Sequence, residues 1–141
     1  MATRAPPVQL PWIGYRFEMG SYTRKLEAAG FVVEKTRDAS SALTLVQQRK
    51  YPLLIVQDWF PAGNLDLPDG FDERNPASLT VHFLRQLRTL SHYRDKPVIV
   101  THFLDNSDAE KLRVDDRVFL FDSLNDSSGF DGLVQAVRSH L

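Results

Sequence analysis

Glu18, Asp58, Thr101 and Asp122 each stand at or just past the end of a short apolar run. Three carboxylates and a hydroxyl brought together can hold a cation, pass a proton, or accept from and donate to backbone groups. Taken alone, an acid such as Asp58 reads as a strand-end group that accepts from backbone N–H groups. His102 directly follows Thr101, which makes a general-base role conceivable. His82, His92, His102 and His140 are scattered and form no metal-ligand spacing. Asp66, Asp69, Asp72 and Glu73 are acids of one stretch, but their spacing does not match a calcium-binding loop. Asp58 is followed by Trp59 and Phe60. Two large aromatics there either pin the following loop to the core or give a partner-binding hot spot.

Bulk composition excludes several classes. With 17 Lys+Arg against 18 Asp+Glu the net charge is −1, so no basic field exists to attract nucleic acid or a membrane surface. There are no cysteines, which removes disulfides, thiolate catalysis and cysteine-ligated zinc. No apolar run approaches the roughly 20 residues of a membrane-spanning helix. Residues 1–11 are proline-rich without an apolar core, and read as a flexible lead-in to one domain over 12–141. A cytoplasmic location follows by elimination. No glycine-rich phosphate loop follows the first apolar run, and no nucleophile-elbow serine is present, so the chain is not expected to be an enzyme.

The elements that must position these residues alternate. Trp12–Phe17 reads as a strand, and Ser21 caps a helix that stops at Gly30. Phe31–Val33 is a second strand. Asp38 or Ser40 caps a helix with Ala42, Leu45 and Val46 on one face. Leu53–Val56 has no polar alternation, as a strand buried on both faces requires. From Pro61 to Asn75 no periodicity appears, giving a loop of about 15 residues, longer than most. Asn75-Pro76 opens a helix carrying Val81, Leu84 and Leu87 at helical spacing. Val98–Val100 is a fourth strand, Asn106–Arg113 a short helix and Val118–Phe121 a fifth strand. Ser127 or Ser128 caps a closing helix with Phe130, Leu133, Val134 and Val137 inward. Such alternation specifies a parallel sheet with helices on both faces. Ligands of such sheets sit at the carboxyl ends of the strands, which makes Glu18, Asp58, Thr101 and Asp122 neighbours.

The chain resembles the receiver domain of response regulators, the CheY-like family. Tyr51-Pro52-Leu53-Leu54-Ile55-Val56-Gln57-Asp58 is similar to that family's third strand, with Pro61 and Gly63 beyond it. Leu84–Arg88 resembles its third helix, Pro97–Thr101 its fourth strand and Ala28–Phe31 the end of its first helix. The resemblance implies a flavodoxin-like (βα)5 three-layer sandwich, α/β class, with a five-stranded parallel sheet in the order 2-1-3-4-5. It implies Asp58 as phosphoacceptor, Thr101 as switch hydroxyl and Phe119 as the aromatic near the last strand. Three positions depart from the family. After the first strand, where receivers carry two acids that hold Mg²⁺, only Glu18 is acidic. After the fifth strand, Asp122 stands where receivers carry a lysine. Pro61 lies three residues beyond Asp58 instead of four, so a second register puts Gln57 at the acceptor position.

Phosphoryl transfer relies on positioning and charge neutralisation. Losing one preorganised group commonly slows a reaction about 10²–10³-fold. The resulting expectation is a degenerate receiver-like signalling domain without cofactor or metal, working through protein contacts. Its partner would be a histidine kinase or another signalling protein, with homodimerisation open. The chain ends at Leu141 after the closing helix, so output is expected to pass through contacts. Two alternatives remain: a stand-alone response regulator phosphorylated on Asp58 with Mg²⁺, and a small flavodoxin-like enzyme or ligand binder.

Overall fold

Four hydrophobic residues in a row, Leu53–Val56, need apolar cover on both sides, and the rest of the chain is arranged to supply it. In the computed structural model, which describes residues 7–14, 19–71, 77–123 and 131–141, they form or adjoin the central strand. The strands are β1 (Gln9–Ile13), β2 (Val32–Thr36), β3 (Leu54–Gln57), β4 (Val98–His102) and β5 (Val118–Asp122). The helices are α1 (Met19–Ala28), α2 (Ala39–Gln48), α3 (Ser78–Thr89), α4 (Asn106–Glu110) and α5 (Asp131–His140). All strand pairs are parallel and the order is β2-β1-β3-β4-β5, as expected.

The sheet divides the core into two clusters. Ile13, Val56, Val100, Phe83, Leu84 and Leu87 pack under α2 and α3 on one face. Trp12, Ile55, Ile99, Leu26, Leu133 and Val137 pack under α1 and α5 on the other. Alternate residues of one strand feed opposite clusters, so continuous apolar runs satisfy both faces.

Several boundaries differ from expectation. The first strand begins at Gln9, so Gln9, Leu10 and Pro11 leave the expected lead-in; residues 15–17 lie outside the described residues. Proline hid this start, because it cannot donate to a ladder. Val32 N–H donates to Val8 and Gly14 N–H to Thr36, so even-numbered residues of β1 face β2. The Pro11 nitrogen therefore faces β3, whose pairing with β1 starts only at Trp12, and no bond is lost. Strand β2 runs on through polar Glu34, Lys35 and Thr36 because an edge strand needs only backbone pairing. Helix α3 starts at Ser78 after Ala77, which makes no side-chain cap bond. The expected starts at Asn75-Pro76 and Ser127 or Ser128, and Phe130 as an inward residue, lie outside the described residues.

The loop after β3 is tied to α2. Asp38 caps that helix, its carboxylate accepting from Ser41 N–H at 2.7 Å and from the Ser40 hydroxyl at 2.8 Å. Pro61 and Ala62 carbonyls accept from Ala39 and Ser40 N–H groups, and Asn64 N–H donates to the Ser40 hydroxyl. Two of the helix's open N–H groups are thereby satisfied by the loop. Gly63, at φ 64°, has no room for a side chain: a β-carbon would stand 2.4 Å from Ser40 Oγ. Burial pushes the Asp38 carboxyl up, but the hydrogen bonds from Ser41 and Ser40 outweigh it and hold the group below its ordinary value.

Candidate functional site at the carboxyl edge of the sheet

The parallel register decides which side chains meet. Gln57 lies opposite Thr101, and the Asp58 N–H donates to the Thr101 carbonyl at 2.9 Å. That bond carries the register one residue past β3 and sets Asp58 opposite His102. On the other side His102 is paired with Asp122. The edge thus carries Asp58, His102 and Asp122 in a row, one strand spacing of about 4.8 Å apart along the backbone.

Asp58 is 2% exposed and His102 3% exposed. One carboxylate oxygen of Asp58, Oδ2, accepts from Phe103 N–H at 3.3 Å. From below, the Thr80 hydroxyl of α3 donates to the Asp58 carbonyl at 2.8 Å. Helix α3 therefore fixes the backbone on which Asp58 turns out of the strand. His102 Nδ1 is buried without a hydrogen-bond partner, as is Ser123 Oγ just beyond β5. Such atoms carry a desolvation penalty of about 1–3 kcal/mol each, and natural folds retain few of them.

Thr101, expected as the hydroxyl beside Asp58, is one residue short of that place. Strand alternation turns it to the face of Ile55 and Ile99, whereas His102 takes the face of Val98 and Val100. An imidazole stands where a hydroxyl was expected. Glu18 lies outside the described residues. Phe119 is three residues, about 10 Å, behind Asp122 along the strand. It stacks on His140 with ring centroids 3.7 Å apart, and the Arg117 guanidinium lies 5.6 Å from its ring. It belongs to the contact with α5, away from Asp58. Phe60, a candidate partner-binding residue, is fully buried edge-to-face on Phe83 at 5.6 Å and pins the loop instead. Trp59 does reach the surface, at 36% exposure, and Phe103 joins it there at 40%. Sequence reasoning missed both His102 as a site residue and Phe103 as a surface aromatic. Counting two residues further from the end of the apolar run after Pro97 would have found them.

The residue following β1 gives the second half of the geometry. Gly14 has no side chain, and the space its β-carbon would need is taken by the Gln57 amide, with Oε1 2.0 Å from that point. Where receivers carry acids after the first strand, this chain has an uncharged contact between Gly14 and Gln57. The fold implies a Mg²⁺ site here, and the described donors do not fit one. Magnesium demands near-octahedral oxygen ligands, and imidazole suits other metals. Among the described residues no group of three His, Asp or Glu side chains is placed to hold a metal ion. Nor, among them, is any helix long and apolar enough to cross a membrane.

Neither a protein-family model nor a curated protein sequence matches the chain. Solved structures do. The chain is similar to chemotaxis response regulator CheY4 of Vibrio cholerae, with a TM-score of 0.66 and 14% identity over 96% of this chain and 99% of that one. It is similar to the receiver domain of sensor histidine kinase PA1611 from Pseudomonas aeruginosa, solved with magnesium in its active-site cleft. There the TM-score is 0.70 and the identity 13%, over 95% and 97% of the two chains. It also matches HP1043, an orphan response regulator of H. pylori, at a TM-score of 0.64 and 14% identity over 98% and 99%. At these identities the likeness establishes a CheY-like receiver fold.

Proposed function

We propose that this chain is a receiver-like signalling domain that acts through protein contacts and does not depend on phosphorylation. The observation that carries the reading is the row Asp58, His102, Asp122. A phosphoryl group on Asp58 would add close to two negative charges at a place where the adjoining strands offer an imidazole and a second carboxylate. Like charges at short range disfavour one another, most of all out of water. Gly14 and Gln57 supply no acid for a divalent ion, and Asp58 is buried. The edge instead presents Trp59 and Phe103, side chains of the type that anchor protein interfaces. The partner is a signalling protein such as a histidine kinase, a second copy of the chain being another, and the setting is the cytoplasm. No cofactor, metal or nucleic acid takes part.

Incubation with acetyl phosphate and Mg²⁺, followed by intact-mass measurement, tests this reading. No phosphoryl adduct is expected. An adduct that disappears in Asp58→Asn would establish the competing reading, a response regulator switched at Asp58, which draws support from Asp58 lying directly after β3.

A further inference from the structure

Away from the carboxyl-edge row, a groove of about 480 Å³ runs between the loop after β3, the first half of α3 and the end of α4. One wall is apolar, made by Phe71 and Val81. Phe71 meets the His82 ring edge-to-face at 5.9 Å, and His82 is held in turn by Gln86 at 2.9 Å, so this wall is braced. The other wall carries Arg85 and Lys111. No carboxylate lines the groove, although the whole chain has a net charge of −1. The groove is a locally positive strip on a nearly neutral molecule, which is the condition for selecting a partner of opposite charge.

The cations are available. Arg85 is exposed and has no ion-pair partner among the described residues. Lys111 meets Asp108 at 3.3 Å, but the two side chains are 61% and 51% exposed. Such a pair is weak and exchanges readily for another carboxylate. We infer that this groove docks an acidic segment of a partner protein, one large apolar side chain entering against Phe71 and Val81 and flanking carboxylates meeting Arg85 and Lys111. This deepens the contact-based reading by naming the partner's chemistry.

The probe is the peptide acetyl-Glu-Glu-Leu-Phe-Glu-Glu-amide, titrated into the full ¹⁵N-labelled chain, with lysine in place of every glutamate as control. Saturable shifts are expected in the backbone amides of Phe71, Val81, His82, Arg85 and Lys111. Binding should weaken at about 1 M salt, where screening acts within about 3 Å. It should also fall at least about tenfold in Arg85→Glu/Lys111→Glu, since two rim contacts are reversed. Both side chains are exposed, so the variant should keep its melting temperature; Arg85→Gln/Lys111→Gln provides a milder second test. Absence of saturable shifts, shifts centred on Trp59 and Phe103, equal binding of the lysine peptide, or undiminished binding by both variants would overturn the inference. A phosphoryl adduct on Asp58 would instead overturn the functional reading, so the two failures are distinguishable.

Discussion

At the amino ends of the strands nearly every polar group is answered, whereas at the carboxyl ends several are not. Arg88, whose side chain is 12% exposed, grips both oxygens of Asp115 at 2.8 and 3.2 Å. It also donates to the Tyr93 and Lys96 carbonyls at 2.7 Å. The Tyr93 hydroxyl donates to the Arg49 carbonyl and accepts from Tyr51 N–H at 3.1 Å. Arg49 reaches Glu34 at 2.6 Å. At the opposite edge His102 Nδ1 and Ser123 Oγ are buried without partners, two carboxylates flank one imidazole, and Trp59 and Phe103 face solvent. Both edges belong to one sheet with one set of strands. The difference shows where the chain was free to optimise stability and where something else constrained it.

The largest effect expected from attacking this contrast is at the satisfied end. Arg88→Ala removes a bidentate ion pair and two carbonyl contacts at once, and should cost about 2–3 kcal/mol in urea unfolding. Next comes Gly14→Ala. Its new methyl group collides with the Gln57 side chain, and the expected loss is about 1–3 kcal/mol. Adding Gln57→Ala should recover most of it, because the two substitutions share one contact. A recovery confined to this double variant would show that Gly14 is kept for the Gln57 amide and not for backbone freedom. Tyr93→Phe leaves the Tyr51 N–H and the Arg49 carbonyl without their partner and should cost about 1–2 kcal/mol.

At the unsatisfied end the sign reverses. His102→Leu replaces a buried ring nitrogen that has no partner, and should raise stability by about 1 kcal/mol. A loss there would mean that the imidazole has a structural role after all. The smallest effect is on the pH profile. Asp38 and Asp115 both have carboxyls held low in the fold, where hydrogen bonds to Ser41 and Ser40, and to Arg88 and Arg117, outweigh the opposing effect of burial. A lowered folded pKa gives stability that is present above the unfolded value of about 3.9 and is lost as pH falls through the folded value. Acid titration followed by circular dichroism should show that loss, and Asp38→Asn should flatten part of it.

Much of this was legible in the sequence because it rests on pattern. The unbroken apolar runs Leu53–Val56 and Val98–Val100 demanded a two-sided sheet, and the helical spacing of Val81, Leu84 and Leu87 gave α3 its buried face. The Asp38 cap was likewise readable from residue type. The site was less legible because its composition depends on register, which single-strand patterns do not carry. An offset of one residue separates Thr101 from His102 as the neighbour of Asp58. The fates of Trp59 and Phe60 were also undecidable locally, since only the position of Phe83 on α3 determines which ring is covered. The start of β1 was obscured by Pro11, whose lost N–H matters only if β3 reaches that far.

Trp59 directly follows Asp58, so its fluorescence reports on that corner of the sheet. Titrating Mg²⁺ into the wild-type chain should leave the emission unchanged, with no saturable phase, because Gly14, Gln57 and His102 offer the ion no oxygen cage beside Asp58. A saturable change that is lost in Asp58→Asn would contradict the account.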